Sequence, residues 1–168
     1  LAGLSLERPA LPEAIAALVY ICAMMLPDGM SRATFRDGEP RNIQYETLAS
    51  PTVGGNGTIV TASDPAQIFA QRAHPDLSSA AMARLVAEPE SLRLTPVSVS
   101  PERWGAIPRL YIECADDRVI PLASQRRMQR LCPGSHVLTL DADHSPFLSC
   151  PGELARSLLK AIDISPSD

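Results

Sequence analysis

RLYIECADDRVIPLASQRRMQRLCPGSHVLTLDADHSPF (residues 109–147) contains two short apolar runs, RLYIECA and HVLTLDA, each followed by a polar pair. The first pair is Asp116-Asp117 and the second is Asp143-His144. Runs of this length, opened by Pro108 and by the Pro133-Gly134 turn, read as strands buried on both faces. Between them, residues 122–131 place Met128 and Leu131 on one side and arginines on the other, the spacing of an amphipathic helix. After the second run, residues 152–162 place Leu154, Leu158, Leu159 and Ile162 at helical spacing, with Pro151 at the mouth. Strand, helix, strand, helix is the alternation of a parallel sheet with helical crossovers. The fold class is therefore α/β.

A third apolar run, AALVYICAMM (16–25), stops at Pro27-Asp28-Gly29 and predicts another strand buried on both faces. The stretch between it and residue 106 is rich in Ser, Thr, Pro and Gly. Its segments 42–48 and 58–62 read as short β pieces around a turn at 53–57, and 65–72 and 78–87 read as helices. Ile59, Ile68, Phe69, Leu77, Met82 and Leu85 need burial partners, so this segment predicts a folded cap and not a loose loop. The expected organisation is a core of residues 1–26 and 106–168 with a cap of residues 27–105 over the carboxyl ends of the sheet.

The composition narrows the function. A net charge of −4 argues against nucleic acid or an anionic membrane surface as partner. No apolar run approaches the ~20 residues of a membrane span. Cys22, Cys114, Cys132 and Cys150 form no CxxC pair, and most lie in or beside apolar segments, so buried free thiols in a reducing, cytoplasmic setting are expected. The three scattered histidines and isolated cysteines give no metal-ligand spacing, and there is no phosphate loop or dinucleotide fingerprint. The chain begins with Leu1 and its first residues are not a signal peptide, so a longer precursor is expected.

In parallel sheets, ligands bind outside the carboxyl ends of the strands, which is where both polar pairs fall. A carboxylate that accepts an imidazole Nδ1–H fixes the tautomer and leaves Nε2 free as a base. An acid followed by a histidine in chain order also suits a nucleophilic triad on an α/β sheet. Residues of these types at strand ends also serve as solvated loop residues or helix caps. On spacing alone, both readings stand, and either Asp116 or Asp117 could be the acid.

IPRLYIECADDRVIPLASQRRMQ and DADHSPFLSCPGELARSLL resemble the plant methylesterase and hydroxynitrile lyase group of α/β-hydrolases and its bacterial relatives. That group carries an acid before R-x-I-P, then Q-R-x-M, then D-x-x-H-S-P-F-x-S-x-P. The resemblance extends to ALVYICAMMLPDG (17–29) and to residues 74–105. It implies an α/β-hydrolase fold, Asp117 as the catalytic acid, His144 as the base, a small carboxylic ester as substrate, and no cofactor. It further implies that Ser145-Pro146-Phe147 shapes the turn into the last helix, with Phe147 beside the site.

The group's nucleophilic serine lies in G-H-S-x-G-G, and this sequence has no such motif. Gly3-Leu4-Ser5 half-resembles it, but Glu7 stands where a glycine is needed and Pro9 would interrupt the following helix. The first strands and the nucleophile elbow are therefore expected to be absent, and a sheet cut at that edge is expected to dimerise or aggregate. Lyases of the group carry a lysine directly after the histidine, where this chain has Ser145, which speaks against lyase chemistry. A binding protein without turnover is the alternative from another class. His74 and His136 read as surface or structural residues, and Trp104 as an anchor where the cap returns to the core.

Overall fold

The computed structural model describes residues 15–40, 49–51, 58–60, 65–86 and 89–163. In chain order its elements are β1 (Leu18–Ile21), α1 (Arg32–Asp37), β2 (Ala49–Pro51), β3 (Thr58–Val60), α2 (Ala66–Phe69) and α3 (Pro75–Met82). They continue with α4 (Glu90–Leu94), β4 (Arg109–Cys114), α5 (Leu122–Leu131), β5 (Ser135–Leu140), α6 (Pro146–Ser149) and α7 (Pro151–Asp163).

β1, β4 and β5 make one parallel sheet in the order β1–β4–β5. Leu18 pairs with Arg109, and Arg109 in turn with Ser135. The sequence predicts this strand–helix–strand–helix succession, and α5 keeps the bounds read from its periodicity. β4 lies in the middle and is buried at every position. Its even-numbered residues Leu110, Ile112 and Cys114 pack with Cys22, Leu140, Ala142 and Leu154. On the other face Tyr111 joins Met25, Leu26, Phe35, Trp104, Ile107, Met128 and Cys132. Each such large apolar side chain contributes about 1.5–3 kcal/mol by leaving water. Packing on both sides explains why Leu110, Tyr111, Ile112 and Cys114 are apolar on both faces of this strand, with Arg109 and Glu113 buried as its charged exceptions.

The same inference fails for its neighbours. β5 exposes His136, Val137 and Thr139, and its only strand partner among the described residues is β4. β1 covers only Leu18–Ile21 of the run 16–25, and Val19 keeps 37% of its surface exposed. The strand ends because Cys22 takes φ +37°, a left-handed value that extended backbone cannot continue through. Residues 23–26 leave the sheet and carry Met25 and Leu26 into the core.

The insertion after β1 has a narrow neck. Gly29 N–H donates to Val97 O (2.9 Å), Val97 N–H to Met30 O (3.0 Å), and Val99 N–H to the Asp28 carboxylate (3.0 Å). Gly29 adopts φ +74°, which explains why the turn ends in glycine. α1, which the periodicity did not reveal, is capped by Ser31, whose Oγ accepts Thr34 N–H at 3.0 Å. Its Phe35 belongs to the core cluster, so the insertion shares the core's burial. β2 and β3 form an antiparallel pair, Ser50 opposite Ile59. The segments 42–48 and 53–57 lie outside the described residues. Ile68 is buried as expected, but Leu77 is 52% exposed on α3, which buries only Ser78, and Leu85, past the end of that helix, is 44% exposed.

Trp104 anchors the return to β4. Its Nε1–H donates to Tyr20 Oη (2.8 Å), and the Arg109 guanidinium lies 4.3 Å over its ring. Arg109, itself buried, donates to Trp104 O, Gly105 O and Pro133 O. No helix among the described residues is long and apolar enough to cross a membrane.

Candidate active site

β4 and β5 run parallel in register, Cys114 opposite Leu140, so their carboxyl ends open side by side. Asp116 N–H donates to Ala142 O at 3.0 Å and ties the two loops together. One residue past Asp116 and two past Ala142, Asp117 Oδ2 lies 2.8 Å from His144 Nδ1. Asp116 is exposed and makes no such contact, while the Asp117 side chain is fully buried.

The acid is held from several directions. Asp117 Oδ1 accepts Val119 N–H (2.8 Å) and Ile120 N–H (2.9 Å), the local turn that the run Asp-Arg-Val-Ile-Pro encodes. Gln125, wholly buried on α5, binds both Cys114 N–H and Cys114 O (3.0 Å each) and donates to Ile120 O (2.8 Å). It therefore clamps both ends of the loop that carries Asp117.

The base is held differently. Asp143, also wholly buried, accepts Ser145 N–H (3.1 Å) and the Ser149 hydroxyl (2.8 Å) through Oδ1. Its Oδ2 accepts Arg72 N–H at 2.8 Å, from the insertion. The stretch 67–72 in fact bridges both loops. Gln71 Nε2 donates to Asp116 O (2.7 Å), Arg118 Nη1 to Gln67 O (2.8 Å), and Arg72 pairs in two-pronged fashion with Asp141 (2.6 and 3.0 Å). That hydrogen bond holds the Asp141 carboxyl below its usual range. The Phe69 ring meets the His144 imidazole edge-on, with centroids 5.9 Å apart. Residues 67–72 thus lie against the loops after β4 and β5, beside His144.

Phe147, expected beside the site, is 58% exposed. It lies on α6, and the ring that packs edge-on against His144 is that of Phe69. His74 caps α3 by accepting Asp76 N–H (3.3 Å), and His136 lies exposed on β5. Ser5 lies outside the described residues. Cys22, read from the sequence only as a buried thiol, is 2% exposed and donates to His144 O at 3.4 Å. Its thiol and the ligating atoms of Asp117 and His144 all lie within 4.8 Å of one another, a cluster that linear spacing did not reveal. The Cys114 thiol, burial and the Asp117 carboxylate together push the Cys22 thiol far above its usual range.

Gln125 and Asp143 were also missed as positioning residues. Each had a signal. Gln125 is a polar residue on the apolar side of an amphipathic helix, and Asp143 is followed by serines at the second and sixth positions, a capping pattern.

Chemically, an ionised Asp117 that accepts Nδ1–H presents His144 with Nε2 as a free proton acceptor and stabilises the imidazolium once formed. Residues 1–157 match the alpha/beta hydrolase family. The chain belongs to this family. It is 30% identical over 158 residues to a pyrethroid hydrolase of Sphingobium wenxiniae, covering 90% of this chain and 56% of that one. It is 29% identical over 166 residues to putative methylesterase 11, chloroplastic, of Arabidopsis thaliana, covering 93% of this chain and 42% of that one. The crystal structure of a pyrethroid hydrolase from Sphingobium faniae superposes with a TM-score of 0.77 at 28% identity, covering 91% of this chain and 63% of that one. The α/β-hydrolase chain therefore spans about half the length of the curated relatives it matches.

Proposed function

We propose that this chain is part of a serine hydrolase of esterase type, with His144 as general base, Asp117 as its orienting acid, and a nucleophilic serine outside these residues. The observation that carries the reading is the 2.8 Å contact between Asp117 Oδ2 and His144 Nδ1 at adjoining strand ends, in a chain of the alpha/beta hydrolase family. Relatives named as a pyrethroid hydrolase and a methylesterase support an ester as substrate. In this reading His144 Nε2 takes the serine proton as the oxygen attacks the ester carbonyl, then returns it to the departing alcohol. Water repeats the sequence on the acyl-enzyme, releasing the acid and restoring the serine. Residues 27–105 act as the cap, and Phe69 supplies an apolar wall against the imidazole.

The test is hydrolysis of a short p-nitrophenyl ester. The 168-residue chain should stay near the buffer rate, because loss of one triad member costs on the order of 10⁴–10⁶ in rate. Turnover by the chain that disappears in both Ser5→Ala and His144→Ala would make Ser5 the nucleophile. In the longest natural polypeptide carrying these residues, His144→Ala should lower kcat by a similar factor, and full activity in that variant would discard the reading.

A further inference from the structure

Cys22 lies at the end of β1, a strand that supplies neither Asp117 nor His144. Its left-handed backbone turns the thiol under the site, and the Cys22 N–H remains tied to Ile112 O at 2.8 Å. Three atoms of different donor types, a thiol sulfur, a carboxylate oxygen and an imidazole nitrogen, thereby converge within 4.8 Å. Tetrahedral bonds of about 2.0–2.3 Å separate such ligand atoms by roughly 3.3–3.7 Å. The cluster reaches that spacing if the acid–histidine pair opens slightly and the sulfur closes in.

We propose that Cys22, Asp117 and His144 bind one borderline-soft divalent cation of the Zn²⁺ and Cd²⁺ class, with solvent as the fourth ligand. Thiolate and imidazole select such ions over Mg²⁺ or Ca²⁺. Charge balances inside a buried site: thiolate and carboxylate contribute two negative charges, the imidazole stays neutral, and the divalent ion cancels both. In the binding step the sulfur–hydrogen bond breaks, its proton leaves to solvent, and a sulfur–metal bond forms. His144 binds through Nδ1, the nitrogen facing Asp117, and its ring proton moves to Nε2. The nitrogen required as a base is then blocked. The ion reaches the site from the His144 side, where the imidazole keeps 25% of its surface in solvent. Binding itself is independent of the esterase reading, and only its consequence, inhibition by occupancy, rests on it.

The test needs no turnover. The reduced 168-residue chain is titrated with Cd²⁺, following the ultraviolet cadmium–thiolate absorption, with imidazole ¹⁵N shifts as a second readout. One Cd²⁺ should bind per chain, be displaced by Zn²⁺ but not by excess Mg²⁺, and move the His144 proton to Nε2. Cys22→Ala and His144→Ala should each weaken binding by at least the roughly 10–100-fold that loss of a mere outer-shell partner costs. Cys150→Ala should leave it unchanged. Because His144 is partly exposed, its alanine variant should keep the parent's circular dichroism even if the Cys22 variant does not fold. Absence of a saturable band in the parent, an undiminished band in His144→Ala, or its loss in Cys150→Ala would each overturn the proposal.

Discussion

The loops after β4 and β5 each deliver one member of the Asp117–His144 pair, but they are secured by different parts of the molecule. The β4 loop is fixed mainly from within the core: Asp117 takes two amides of its own turn, and Gln125 from α5 bonds across the loop's base. The β5 loop is fixed partly from outside the core, since Asp143 beneath His144 shares its carboxylate between Ser145, Ser149 and the backbone of Arg72. The Asp117 carboxylate itself is therefore held by the core, and the insertion reaches the β4 loop only at the neighbours Asp116 and Arg118. The base's position also depends on the insertion, so movement of residues 67–72 should disturb His144 before it disturbs Asp117.

The largest expected effect comes from removing the acid's charge while preserving its fixed shape. In the longest natural polypeptide carrying these residues, Asp117→Asn keeps Oδ1 for the Val119 and Ile120 amides but turns an NH₂ toward Nδ1. The imidazole then carries its proton on Nε2, and kcat should fall by about 10⁴. Stability should change little, since the turn remains bonded. A mutant as active as the parent would remove Asp117 from the chemistry.

Gln125→Leu tests the claim that the core holds the acid. Leucine fills the space but leaves Cys114 N–H and O and Ile120 O without their side-chain partner in a site sealed from water. Stranding buried groups costs about 1–3 kcal/mol each, so a loss of about 3 kcal/mol in denaturant unfolding is expected. A loss below about 1 kcal/mol would show that the loop is held some other way.

The contrast between the loops also explains what could be read in advance. Alternating strand and helix patterns appear directly in the sequence because β4 and α5 bury whole faces, and burial leaves a periodic trace. Parallel strands that end side by side singled out the two polar pairs, but the choice of Asp117 over Asp116, and of His144 as a base, came from the resemblance to the methylesterase group. β1 and β5 were over-read as buried on both faces, because Val19 and Val137 are apolar residues on strands that are not central among the described residues. Cys22, Phe69 and Arg72 left no trace as site residues. Their places depend on a left-handed residue at Cys22 and on how residues 67–72 lie against the two loops, and neither leaves a periodicity.

Glu113 gives a pH-dependent comparison beneath both loops. It lies on β4 and accepts Thr139 Oγ1 from β5 (2.9 Å), as well as Arg126 (2.9 Å) and Gln129 (2.9 Å) from α5. Burial alone would raise its pKa, but the hydrogen bonds from Arg126, Gln129 and Thr139 prevail and hold it below the usual value of 4.5. A depressed folded pKa gives stability that is full above the unfolded value and lost as pH falls through the folded one. The parent's Tm should therefore drop more steeply below about pH 4.5 than that of Glu113→Gln, by a few degrees. Parallel Tm curves for the two proteins would mean that Glu113 contributes nothing through its charge.

The smallest effect separates the insertion's side-chain bond from its backbone bond. The Arg72–Asp141 pair is well exposed, at 36% and 85%, so solvent screens it and fixing two mobile side chains offsets much of its attraction. Arg72→Ala removes that pair but keeps the Arg72 N–H that reaches buried Asp143. Tm should stay within about 2 °C of the parent. Amide exchange should quicken in residues 66–72 before it changes in the turn at 117–120, because Arg72 itself bonds only Asp141 and Asp143 of the β5 loop, while the β4 loop meets the insertion through Gln67 and Gln71. Equal quickening in both places would mean that the insertion braces the acid as much as the base, and the contrast between the two loops would fall.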